Sequence, residues 1–130
     1  VDAGRLGPRG LPPSLVEAAD LVLLVTRTSL VDLVALRVHL PLLAETLPPE
    51  RLGLLLIGPD RPYTGKEIHA QFGVEALASV GWAPEPARVW SHGERPTRRV
   101  RPGYPRNVQH AGVGLLERVT ARSELIGAPR

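Results

Sequence analysis

The chain contains no cysteine, which excludes a disulfide framework, a thiolate metal site and a thiol nucleophile, and fits a reducing compartment. Aromatic residues are almost as scarce, with one Phe, two Tyr and two Trp. Leu, Val and Ala must therefore fill the core, which favours buried strands covered by helices over an aromatic-rich sandwich. No stretch approaches the roughly 20 apolar residues that span a bilayer. The opening Val-Asp-Ala-Gly-Arg also lacks the apolar centre of a secretion signal, so a cytoplasmic protein with no transmembrane segment is expected. Lysine is rare too: Lys66 is the single lysine among 16 basic residues. The abundance of Arg, Ala, Gly and Pro points to a GC-rich genome before it points to chemistry. A net charge of +3 supports nucleic-acid binding only weakly, leaving the local distribution of charge to decide.

What is present is a single domain's worth of chain, 130 residues and 14.0 kDa, long enough to bury roughly two-thirds of its unfolded surface. Within Ala19 to Arg27, Leu21-Val22-Leu23-Leu24-Val25 is an unbroken aliphatic run of the kind found in strands buried on both faces. Leu52 to Ile57, closed by Gly58-Pro59, is a second such segment, and Ala76 to Trp82 a weaker third. Ser14 with Glu17, Ser29 with Asp32, and Thr64 with Glu67 each place a hydroxyl at a helix start and an acid three residues on. Ser29 to Leu47 is apolar around most of its circumference and contains Pro41, which should kink or divide it. A helix from Gly65 to Phe72 follows. Asn107 reads as the N-cap of a closing helix that runs towards Leu125.

Strand, helix, strand, helix, strand, a long connection and a closing helix is the order of a doubly wound α/β fold, a mostly parallel sheet flanked by helices. Val1-Asp2 reads as the tail of a further strand. Residues 1–130 form one domain, and a Pro/Arg-rich stretch at 83–106 is expected to lack regular structure because Pro84, Pro86, Pro96, Pro102 and Pro105 interrupt it.

Few residues carry chemistry. Asp2, at a presumed strand end, is either an acid facing a metal ion or water, or a turn cap. His39, His69, His92 and His110 lack ligand spacing. No hydrolase triad is present, and Ser14 and Ser29 read as caps. Arg95, Arg98, Arg99, Arg101 and Arg106 cluster on a semi-rigid stretch that would neutralise the phosphates of nucleic acid or meet an acidic partner; the competing reading is a solvated loop.

The order of these segments resembles the C-terminal half of the ParA/MinD-like P-loop ATPases, including the CpaE-like branch. The resemblance rests on the acidic Val1-Asp2 strand end, Pro12-Pro13, the Ala19 to Val25 run, the Ser-capped apolar helix, the strand ending at Ile57, the Gly65 to Phe72 helix and Ser79-Val80-Gly81-Trp82-Ala83-Pro84. It covers the chain from Val1 to about Leu125. It implies a dimer that sandwiches ATP with Mg²⁺ and is switched by hydrolysis, in chromosome partitioning or positioning. Asp2 would fall at the Walker B acid, which is both catalytic and on the metal side. Pro84 would lie near the nucleotide base, and Gly58, Pro59 and Asp60 in the turn that reads adenine. The chain departs from the pattern in having no glycine-rich phosphate loop, since Thr64-Gly65-Lys66 lacks the glycine cradle. The adenine-reading Asn and the Asp at Ala83 are missing as well. The resemblance thus implies either a P-loop unit upstream of Val1, without which the chain is inactive, or a degenerate binding module. The apolar Ser29 to Leu47 helix adds an expectation of self-association.

Overall fold

A computed structural model describes residues 1–7, 10–58, 62–95 and 103–127. Three strands, β1 (Val22–Arg27), β2 (Leu52–Ile57) and β3 (Ala76–Val80), form a parallel sheet in the order β1-β2-β3. The helices are α1 (Pro13–Ala18), α2 (Leu30–Ala44), α3 (Gly65–Phe72), α4 (Pro84–Ser91) and α5 (Gly103–Gly127), with one 3₁₀ turn at Pro49–Arg51 before β2. The molecule is therefore α/β, a small parallel sheet flanked by helices. Parallel neighbours need crossovers, and α2 and α3 supply them.

One face of the sheet holds the core. Val22, Leu52, Leu54 and Leu56 project onto Leu33, Leu36, Leu40 and Leu43 of α2 and Ile68 of α3, forming one buried aliphatic cluster. The period of two along β2 puts Leu52, Leu54 and Leu56 on that face and Gly53, Leu55 and Ile57 on the other. β3 carries a bulge: Leu54 pairs with Ala76 and Leu55 with Ala78, which leaves Leu77 unpaired. Leu77 occupies the space over Gly53, where a Cβ would lie 2.6 Å from its Cγ. Gly53 is thus required by the close approach of a neighbouring strand's side chain.

The caps explain the crossover helices. Ser29 Oγ accepts the N–H of Asp32 at 3.4 Å and also hydrogen-bonds to the Asp32 carboxylate. At α3 the reciprocal capping box is complete: Thr64 Oγ1 accepts from the Glu67 N–H at 3.2 Å, and the Glu67 carboxylate accepts the Thr64 N–H at 2.8 Å. Gly73, at φ 71°, ends α3 in the left-handed conformation. The Thr64 backbone N–H, then its hydroxyl, hold the Glu67 carboxyl below the usual carboxylate range. A group with a depressed folded pKa stabilises the fold above its unfolded value and loses that contribution as pH falls through the folded one. Thr64→Ala should therefore lower Tm by about 3 °C at neutral pH. In thermal melts followed by circular dichroism the gap to the parent should narrow below the usual carboxylate range; a constant gap would mean that the Thr64 hydroxyl does not stabilise the Glu67 carboxylate.

Several expectations are corrected. Ser14 is not a cap, because α1 starts at Pro13 with Pro12 before it; a proline at the first helical position supplies a preset φ. Pro41 lies inside α2 without dividing it. A helix, α4, occupies part of the 83–106 stretch, because Pro84 and Pro86 fall in its first turn, where backbone N–H groups have no intrahelical acceptor. The closing helix begins at Gly103, so Asn107 lies within it. Val1-Asp2 is not in a strand: both residues are exposed, and β1 pairs only with β2 among the described strands.

Candidate functional site

All three strands point the same way, so their carboxyl ends open together, the usual position for ligands in open α/β sheets. Several residues meet there. Thr28 follows β1 and is buried at 2% exposure. Gly58 follows β2 at φ 130° and donates its N–H to the Val80 carbonyl at 2.9 Å. A Cβ on Gly58 would lie 3.2 Å from Thr28 Oγ1, so sterics and φ both favour glycine. Gly81, after β3, donates its N–H to Asn107 Oδ1 at 3.2 Å, fastening α5 to this end of the sheet. At the other end of β3 the Arg118 guanidinium makes a two-pronged hydrogen bond with Glu75, 3.0 and 3.2 Å. That contact holds the Glu75 carboxyl below its ordinary range and raises Arg118.

The most distinctive element is a cation–π stack. The Arg27 guanidinium lies over the Trp82 ring, 4.5 Å from its centroid. Both residues are exposed, so the ring and its cation form an accessible platform beside Pro84, the exposed first residue of α4. Nothing local in the sequence pairs Arg27 with Trp82; the strand order β1-β2-β3 brings them together. The position of Trp82 just past β3 was the one available signal.

The predicted residues separate into four groups. Gly58 and Pro84 stand at the carboxyl end of the sheet. Pro59, Asp60, Arg98, Arg99 and Arg101 lie outside the described residues. Arg95, after Gly93, and Arg106, in the first turn of α5, are both exposed. Asp2 Oδ1 accepts the N–H of Gly4 at 2.8 Å, the geometry of a short Asx turn. His92 Nδ1 lies 2.6 Å from Ser91 Oγ at the exposed end of α4. His39 is half-buried on α2, His69 exposed on α3 and His110 exposed on α5. Among the described residues no cluster of three or more His, Cys, Asp or Glu could hold a metal ion, and no helix is long and apolar enough to cross a membrane.

The fold and this end of the sheet define the class, an open parallel α/β domain with a platform of Arg, Trp and glycine turns. No family model, curated protein or solved structure matches the chain.

Proposed function

We propose that the chain is the C-terminal portion of a ParA/MinD-like, ATP-switched partitioning or positioning protein, working with a P-loop unit supplied upstream. The observation that carries this reading is the open side of the sheet. β1 has no partner on its outer edge among the described strands. Next to that edge the second face of the sheet carries Leu23, Val25, Leu55 and Ile57, none of them buried, with Val25 63% exposed, while α5 packs against β3 at the far edge. Parallel sheets are stable when both faces are covered, and a flat aliphatic edge invites a further strand. A strand followed by a helix on the β1 side would close both. It would also bring phosphate-binding backbone to the carboxyl end, where Gly58 with Pro59 and Asp60, and Pro84, would border the base. Asp2 would serve the Mg²⁺ side. The chain's own residues would shape the pocket and exclude water, while the upstream unit would hold the phosphates.

A binding module is the second reading, favoured by the absence of a glycine cradle from the sequence. In that reading Arg95, Arg98, Arg99, Arg101 and Arg106 would dock nucleic acid or an acidic protein. Two measurements test the leading reading. The 130 residues alone should show no saturable ATP binding tighter than about 10 μM by calorimetry. With a P-loop unit joined upstream, Asp2→Ala should slow ATP turnover at least about tenfold with its melting transition retained. Tight binding by the chain alone, or full turnover by the variant, removes the assignment.

A further inference from the structure

The outward side of α2 is unlike the solvent side of an ordinary helix. Its buried stripe is Leu33, Leu36, Leu40 and Leu43. Turning half a revolution, at 100° per residue, brings up Leu30, Val31, Val34, Val38 and Leu42, which are 59%, 80%, 56%, 63% and 44% exposed. The residues between them on that side, Ala35 and Pro41, are also exposed and apolar. Arg37, also exposed, borders this stripe, and Asp32 stands in the first turn of the helix. A helix that is apolar on its outward side as well as its buried one belongs inside something larger. At its carboxyl end the stripe runs into a hollow of about 370 Å³, lined by Leu6, Leu11, Val16 and Leu42 with Glu17 and Thr46 among them.

We propose that this face is a two-fold contact between two copies of the chain, with α2 packed antiparallel on α2. In this arrangement Leu30 of each copy enters the hollow beside Leu42 of the other. The spacing is self-consistent: an axis midway between Val34 and Val38 sets Val34 against Val38, and the same axis sets Leu30 against Leu42. A surface with a projecting Leu at one end, a hollow at the other and a valine ridge between them is complementary to its own two-fold image. The stripe exposes on the order of 500 Å² of apolar surface, comparable to the largest patch on a typical monomer, which is often functional. With the hollow walls included, a pair would bury on the order of 1,200 Å², the lower end of the range for specific interfaces. Interfaces of that size include weak, transient contacts, and their affinity depends on packing quality more than on area. The contact lies on the opposite side of the sheet from β1's bare face and does not depend on nucleotide.

Sedimentation equilibrium of the full chain from about 5 to 500 μM tests the contact. A monomer–dimer equilibrium in that range is expected. Val38→Glu should weaken it at least tenfold, whereas Val25→Glu, on the bare sheet face, should leave it unchanged. Because the chain has no cysteine, a mixture of Val34→Cys and Val38→Cys proteins should form the mixed disulfide under mild oxidation, a readout that requires no glutamate-bearing variant to fold. A monomer throughout the range overturns the proposal. So does a dimer that is indifferent to Val38→Glu, or one broken by Val25→Glu.

Discussion

Replacing Leu54 by alanine is expected to remove about 3–5 kcal/mol of unfolding free energy. Leu54 lies at the centre of the middle strand with 0% of its surface exposed, enclosed by the α2 and α3 side chains of the core cluster. Its backbone N–H is bonded to the Glu75 carbonyl at 2.9 Å, so β2 cannot drift to fill the void. The lost transfer energy and the cavity term then add. Against a total of about 5–15 kcal/mol for a typical domain, this is a large fraction. Urea unfolding followed by far-UV circular dichroism should show a lower midpoint with an unchanged slope. A loss below about 1 kcal/mol would place Leu54 outside a packed core.

The next largest effect is expected at Arg51. Its guanidinium donates to the carbonyls of Val16 at 2.6 Å, Glu17 at 3.4 Å and Ala19. These are the last carbonyls of α1 and its exit, which have no acceptor role within the helix. α1 is only six residues long and has no side-chain N-cap, so a cation at its carboxyl end both saturates the orphan groups and answers the helix dipole. Arg51→Met keeps most of the aliphatic stem and deletes the donors. It should cost about 2 kcal/mol, concentrated locally, so that hydrogen exchange in residues 13–18 accelerates well before that of β2. Unchanged exchange in α1 would show that packing, not Arg51, holds this helix.

Much of the central architecture is legible in the residues themselves. β2 coincides with the Leu52 to Ile57 run because a continuous aliphatic segment closed by Gly58 has few other solutions. α3 coincides with Gly65 to Phe72, since Thr64 and Glu67 mark its start and Gly73 its end. β1 and β3 differ from expectation by a few residues at their ends, where neither pattern nor propensity has much force. Several of the differences share a cause: a proline breaks a helix less readily in its first turn, or under tertiary packing, than its local penalty suggests. Pro13 and Pro84 open helices, and Pro41 is carried within a helix pinned to the sheet by Leu36, Leu40 and Leu43. Tertiary packing overrides the local penalty. The site was less legible still, because Arg27 meets Trp82, and Asn107 meets Gly81, only through the sheet. Asp2 read as a strand end, but a strand needs a bonded neighbour, and the carboxylate caps its own turn instead.

The placement of the aromatic residues determines what light can report about this protein. Both tryptophans stand in solvent, Trp82 at 53% and Trp90 at 75% exposure, while the buried cluster is wholly aliphatic, with only Tyr63 and Phe72 packed at its margin. The indoles should fluoresce near the water-exposed limit even in the native state, and near-ultraviolet dichroism should be faint. The interior is optically dark. Emission from Trp82 follows the approach and departure of the Arg27 guanidinium above it and so reports on the rim of the sheet, leaving the folding of its centre to backbone signals.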